Sequence, residues 1–215
     1  KSGWNPCAAF QWDFDLEPGE VRKVSFVLGI GAAETVGKEL RKKFRNPEVV
    51  KSAFESLKDF WENRFSVFRC DTPDRDFDNM TNTWNPYQCN VSFHWSRFAS
   101  FIEVGGREGL GYRDSSQDVM SVIHQAPEES KSRLIELLEG QYRSGAAVHT
   151  VSPVLKIGEE KQPEKEFLCS DDHLWIILAV AAYVFETGDK DFLLSEVRYL
   201  DGGKETVYDH LKKAA

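Results

Sequence analysis

The chain changes period once, at Gly29-Ile30-Gly31, and that change most constrains what it can fold into. Before the break, Phe10, Trp12, Phe14 and Leu16 alternate strictly with Gln11, Asp13 and Asp15. Successive strand residues point to opposite faces, so this spacing predicts a half-buried strand. Glu17-Pro18-Gly19-Glu20 reads as a turn, with Pro at its second position and Gly at its third, where positive φ is needed. A second strand, Val21 to Ile30, returns along the first. Two strands leave one face uncovered, so residues 1–33 are expected to close a β domain that begins before Lys1.

After the break the apolar residues recur at helical spacing, which makes the chain mainly α. Asn46-Pro47 opens one helix, along which Val50, Phe54, Leu57, Trp61, Phe65 and Phe68 form a stripe. Thr72-Pro73 opens the next; Pro86 is expected to interrupt it, and it resumes through Phe93 to Ile102 and stops at Gly105-Gly106. Ser115 to His124 and Pro127 to Tyr142 form a further pair, the second ending at Gly145 and carrying Glu128 and Glu129 in its first turn. A polar loop, Gly158 to Glu166, leads to Ser170, Asp171 and Asp172, residues suited to cap a helix over Leu174–Thr187. That helix is apolar nearly all round, which predicts burial on every side. Helices of such alternating character point to concentric layers, as in a barrel of helical hairpins, with a simple bundle as the other arrangement. The chain starts at a lysine and reaches Ala215 inside a helical pattern with no stop signal, so it reads as a piece of something longer.

Composition narrows the function classes. Lys and Arg number 27 against 35 Asp and Glu, a formal charge of −8, and 41% of residues are hydrophobic. This excludes a disordered tail and a basic nucleic-acid module, and it disfavours an anionic membrane surface. The longest apolar run, Leu174 to Phe185, falls well short of the ~20 residues that span a bilayer. Four widely spaced cysteines, Cys7, Cys70, Cys89 and Cys169, form no CxxC pair and read as free thiols of a cytoplasmic protein. The sequons at Asn79 and Asn90 are then accidental. Aromatic residues make up 13%, six of them Trp, a density that marks either a thick core or sugar-stacking surfaces.

Three stretches carry candidate chemistry. The densest is Gly105-Gly106-Arg107-Glu108-Gly109-Leu110-Gly111-Tyr112-Arg113-Asp114-Ser115-Ser116-Gln117-Asp118. Its glycines allow tight backbone turns, and arginine forks with carboxylates are the groups that hydrogen-bond vicinal sugar hydroxyls. A surface loop with an internal ion pair and an aspartate cap reads equally well from spacing alone. A dinucleotide site does not fit, because the glycines follow a helical segment rather than a strand. In the second stretch, Ser170-Asp171-Asp172-His173-Leu174-Trp175, the acids and the indole can face a sugar, or the acids can cap and Trp175 pack. His173 with His149 or Cys169 raises a metal, but without the short ligand spacing of a zinc site. Cys169 with a histidine, or His124 with His149, imitates a nucleophile pair that no neighbouring motif supports. The third stretch, Trp84 to Arg97, reads mainly as aromatic core.

Taken together, Trp84-Asn85-Pro86-Tyr87-Gln88-Cys89, Trp95-Ser96-Arg97, Gly106-Arg107-Glu108-Gly109-Leu110-Gly111-Tyr112-Arg113-Asp114 with Gln117-Asp118, Ser170 to Trp175, and Glu186-Thr187-Gly188-Asp189 resemble the β-glycoside phosphorylases of glycoside hydrolase family 94. The resemblance runs over nearly the whole chain, in order. It implies a β-sandwich closed by residues 1–33, a helical linker over 34–71, and over 72–215 the first part of an (α/α)6 barrel. It implies that Arg107 and Asp114 hold the hydroxyls of the sugar at which cleavage occurs, braced by Arg113 and Gln117. Asp171, Asp172 and Trp175 remain pocket-lining candidates.

Family members cleave a β-linked disaccharide with inorganic phosphate, inverting to an α-sugar 1-phosphate, without a metal or organic cofactor. Phosphate is the nucleophile, so a single acid suffices. The resemblance places that acid in a Trp-Asn-Asp motif, which these residues do not contain, so it is expected beyond Ala215 and the chain alone is expected to be inactive. The implied partners are a disaccharide, of the N,N'-diacetylchitobiose or cellobiose kind, and phosphate; the implied parent is a homodimer. Two other readings stay open: an inverting hydrolase on the same barrel, with two carboxylates ~6.5–9.5 Å apart, and a catalytically dead sugar-binding remnant.

Overall fold

The computed structural model describes residues 9–28, 32–96, 110–151 and 169–215. The chain divides into two compact units, Lys1–Asp59 and Phe60–Ala215.

In the first unit the expected turn forms: Gly19 has φ +84°, and the Glu20 amide donates to the Glu17 carbonyl at 2.9 Å. Its flanks lie side by side, with the Trp12 and Phe26 ring centroids 5.1 Å apart. Residues 9–28 nevertheless form no strand ladder, which corrects the expectation of two strands. All of them are exposed, so no burial drives pairing. A π-helical turn, Ala33–Gly37, leads into α1 (Lys38–Lys43), followed by α2 (Pro47–Phe65). Asn46 Oδ1 accepts from the Glu48 amide at 3.0 Å, which explains the start of α2 where Pro47 was expected to open it.

In the second unit α3 (Arg75–Asn79) starts two residues later than its Thr72-Pro73 signal, because Asp74 is the residue that caps it, accepting from the amides of Asp76 and Phe77 at 3.0 and 3.1 Å. The predicted break at Pro86 does not occur. A π-helical turn, Met80–Trp84, carries α3 directly into α4 (Asn85–Trp95). Its wider hydrogen bond, from the Asn85 amide to the Met80 carbonyl, shifts the register just before the ring that lacks an N–H. α4 ends at Ser96, whose φ is +48°, and the expected continuation to Ile102 lies outside the described residues. Of the aromatics read as core here, Phe93 is buried while Trp84 and Trp95 are 49% and 61% exposed.

The core is built by α5 (Tyr112–Met120), α6 (Pro127–Leu138), α7 (Asp172–Thr187) and α8 (Val207–Ala214). Tyr112, Val119, Leu134, Leu137, Ile176, Val180 and Val207 are each at most 1% exposed. Two short antiparallel pairs accompany the helices. β1 (Leu110–Gly111) pairs with β2 (Thr150–Val151), and β3 (Glu196–Arg198) pairs with β4 (Lys204–Thr206).

Helix α7 packs against α5, α6 and α8 through Ile176, Ala179, Val180 and Tyr183. Its other side is open: Leu174, Leu178 and Phe185 are 44%, 53% and 89% exposed, which corrects the expectation of burial all round. The helix stops at Gly188 as predicted, in the left-handed region with φ +73°. Asp189 beside it is structural. It caps a 3₁₀ turn by accepting from the Phe192 amide at 3.1 Å, and it ties α7 to α6 through the Lys131 ammonium at 2.7 Å.

Helix α6 ends at Leu138 rather than Tyr142, because Gln141 turns inward instead of continuing the helix. Its amide donates to the carbonyls of Gly145 and His210, and its oxygen faces His210 Nδ1 at 2.7 Å. Gly145, with φ +95°, lets this turn lie directly beneath α8: a Cβ there would stand 1.9 Å from the Lys213 carbonyl oxygen. At the other end of α6, buried Arg64 donates to Asn90 Oδ1 at 2.7 Å and pairs with Glu129.

Candidate functional site

The site grows from the start of α5. The β1–β2 pairing places Leu110 opposite Val151, and the Tyr112 amide donates to the His149 carbonyl at 3.0 Å. This fixes the entry of α5, whose first turn carries Arg113 and Asp114. Gly111 precedes it without a side chain, and the Asp114 carboxylate occupies that space. A Cβ on Gly111 would lie 2.6 Å from Asp114 Oδ2. Gln117 stands exposed one helical turn beyond Arg113.

Arg113 reaches the start of α7, where Nη1 donates to Asp171 Oδ2 at 2.8 Å, and the nearby Asp114 charge also acts on its guanidinium. The same oxygen accepts from Trp175 Nε1 at 3.3 Å, one turn further along α7. The indole N–H and then the guanidinium hold the Asp171 carboxyl below the usual carboxylate range, and Asp171 in turn raises the guanidinium. Asp171 is the N-cap residue of α7 by position, yet its side chain makes no capping bond. The capping reading is thus corrected for Asp171: Arg113 and Trp175 take the carboxylate that the backbone amides would have used. Asp171, Arg113 and Trp175 form one contact set, with a charged fork and an indole fixed on a shared oxygen.

Asp172 points the other way. It is 1% exposed, and its Oδ2 lies 3.0 Å from His149 Nδ1. Cys169 Sγ lies 3.4 Å from the same nitrogen. Beneath them, burial and the Asp172 charge push the Tyr112 phenol far above its usual range. The Cys169 thiol is raised by desolvation and by Asp172, so it is a protonated group rather than a poised thiolate. A Cys-His-Asp relay places thiol and carboxylate on opposite imidazole nitrogens, and here Cys169 and Asp172 both face Nδ1. His124 stands instead with Gln125, 3.1 Å away, in the turn after α5.

Of the residues singled out in the sequence, Arg113, Asp171 and Trp175 meet, Asp114 folds over Gly111, and Gln117 stays apart on the surface. Asp172 is buried and belongs to a second cluster with the half-buried His149 and Cys169. Arg107 lies outside the described residues. The convergence of His149 and Cys169 on Asp172 is the feature the sequence underrated. Its separations of 23 and 20 residues lack the short spacing that flags such clusters.

The family model of the glycosyl hydrolase 94 superfamily catalytic domain matches residues 60–215. The chain belongs to that superfamily. A second glycosyl hydrolase 94 model, of the supersandwich domain, matches residues 1–47. The catalytic-domain match opens at Phe60, where the second compact unit of this glycosyl hydrolase 94 chain also begins. The chain is 37% identical to the N,N'-diacetylchitobiose phosphorylase of Vibrio proteolyticus, over 98% of this chain and 28% of that protein. It is 38% identical to the enzyme of the same name from Vibrio furnissii over the same shares, and 29% identical to the solabiose phosphorylase of Paenibacillus borealis, over 94% of this chain and 24% of that protein. It therefore spans about a quarter of the length of these phosphorylases. The resemblance carried by the Gly106–Asp118 and Ser170–Trp175 motifs is the one the family model identifies.

Proposed function

We propose that this chain supplies the sugar-gripping part of an inverting β-glycoside phosphorylase acting on N,N'-diacetylchitobiose or a cellobiose-like disaccharide. In this reading Arg107 and Asp114 hold the hydroxyls of the sugar at the cleavage point. Arg113, Asp171 and Trp175 offer a fork and an indole face beside it, with Gln117 in support and Asp172 buried behind them at the start of α7. Inorganic phosphate attacks the anomeric carbon from the opposite side, and an aspartic acid outside these 215 residues protonates the departing oxygen. The chain alone is then inactive. Residues 1–33 end a β-sandwich, 34–71 form a linker, and 72–215 begin an (α/α)6 barrel.

The observation that supports this most directly is the shared Asp171 oxygen. It holds a guanidinium and an indole next to the start of α5, where Asp114 sits, and that is the donor, acceptor and apolar-face mixture a pyranose requires. We place the full-length enzyme in the cytoplasm as a homodimer. The free thiols of Cys70, Cys89 and Cys169 support a reducing compartment.

The test is to incubate the full-length protein with N,N'-diacetylchitobiose or cellobiose, with and without phosphate, and to follow products by ³¹P and proton NMR. The expected result is phosphate-dependent release of an α-sugar 1-phosphate. Phosphate-independent release of free sugar overturns it in favour of a hydrolase, and sugar-induced quenching of Trp fluorescence without turnover favours a binding remnant.

A further inference from the structure

Three chain segments bring different donor atoms to one point below the start of α7. His149 precedes β2, Cys169 lies three residues before α7, and Asp172 is its first residue. One imidazole nitrogen, one sulfur and one carboxylate oxygen lie within 4.8 Å of one another. We propose that His149 Nδ1, Cys169 Sγ and Asp172 form a binding site for a divalent cation of the zinc class, with the fourth position open to water.

Donor identity is the first argument. Nitrogen, sulfur and oxygen together suit zinc, a borderline-soft ion, whereas magnesium and calcium take oxygen alone. A thiolate, a carboxylate and a neutral imidazole carry two negative charges, which balance a divalent cation.

Geometry is the second. Zinc bonds of ~2.0–2.1 Å to nitrogen, ~2.3 Å to sulfur and ~2.0–2.2 Å to oxygen at tetrahedral angles put nitrogen and sulfur roughly 3.5 Å apart, and nitrogen and oxygen roughly 3.3 Å apart. The observed separations are 3.4 Å and 3.0 Å. A side-chain adjustment of a few tenths of an ångström therefore accommodates the ion.

The third argument is independent of the cluster's spacing. Asp172 Oδ1 has no hydrogen-bond partner among the described residues although Asp172 is 1% exposed. A buried carboxylate oxygen without a partner is unfavourable, and a cation on the same carboxylate offsets it. Between His149 and Cys169 only one proton fits on the facing nitrogen, whereas an ion bonds both. Binding releases the thiol proton to solvent and leaves the imidazole tautomer with its hydrogen on Nε2.

The test uses the full-length protein, stripped of metal and titrated with cobalt(II), then with zinc. The expected result is one equivalent of four-coordinate cobalt with a thiolate-to-cobalt charge-transfer band, displaced by zinc. Cys169→Ser should abolish that band, and Cys169→Ser and His149→Gln should each weaken zinc binding at least ~10-fold. A six-coordinate cobalt spectrum without the band in the unmodified protein overturns the proposal, as does unchanged zinc affinity in either variant. The unmodified protein's spectrum decides the matter even where a variant does not fold. None of these readouts depends on phosphorolysis.

Discussion

The Arg113 guanidinium and the Asp171 carboxylate meet at 2.8 Å across 58 residues of chain, joining the first turn of α5 to the start of α7. Both side chains are close to half exposed, so solvent screens the pair and its contribution to stability is small. Its effect is to hold one oxygen where Trp175 Nε1 also donates. Asp171→Asn in the full-length protein is expected to leave the thermal unfolding transition near the parent's while weakening sugar binding on the order of tenfold. Titration of Trp fluorescence with N-acetylglucosamine or glucose reads the second quantity, and calorimetry the first.

Gly111 tests the placement of Asp114. An added Cβ would stand 2.6 Å from Asp114 Oδ2, and only the short carboxylate side chain can give way. Gly111→Ala is expected to keep the circular dichroism spectrum but to lower kcat/KM on the order of 100-fold by misplacing that carboxylate. A variant with full activity would contradict the assignment of Asp114 to the sugar.

Gly145 makes a different prediction, about folding. Its φ of +95° and the Lys213 carbonyl 1.9 Å from an added Cβ leave no room for a side chain. Gly145→Ala combines left-handed strain with displacement of the α8 backbone, and should destabilise by at least ~2 kcal/mol in a urea titration.

Asp209 sets part of the acid limb of stability. The Lys212 ammonium at 2.7 Å, together with the Thr206 hydroxyl, lowers its pKa from 3.8 to about 2. A carboxyl depressed in the fold contributes stability that is present above its unfolded value of 3.8 and is lost as pH falls toward about 2. Asp209→Asn should therefore flatten the pH dependence of unfolding within that window and leave the slope above it unchanged.

Helix starts and stops were readable wherever backbone chemistry alone decides them. Pro47, Pro127 and Gly188 stand where the sequence puts them, because a missing N–H or a left-handed φ is local. The first two strands were not, since a ladder needs burial that residues 10–28 do not supply by themselves. Pro86 misled for a related reason: a preceding π turn removes the penalty that the ring imposes on a regular helix. In the site, Asp171 and Trp175 were visible as neighbours one turn apart, and Arg113 as a separate candidate. Their meeting depends on α5 packing against α7, which no local pattern encodes. The same dependence on packing hid the approach of His149 and Cys169 to Asp172.

The fit of the Asp114 carboxylate over Gly111 bears on how chains of this superfamily diverge. A side chain at 111 is sterically compatible only with a retracted or shortened residue at 114, so the two positions are expected to vary as a pair. A relative that has lost the glycine is then expected to have lost the aspartate as well and to mark an altered sugar choice, and ancestral reconstruction across that branch would show both substitutions arriving together.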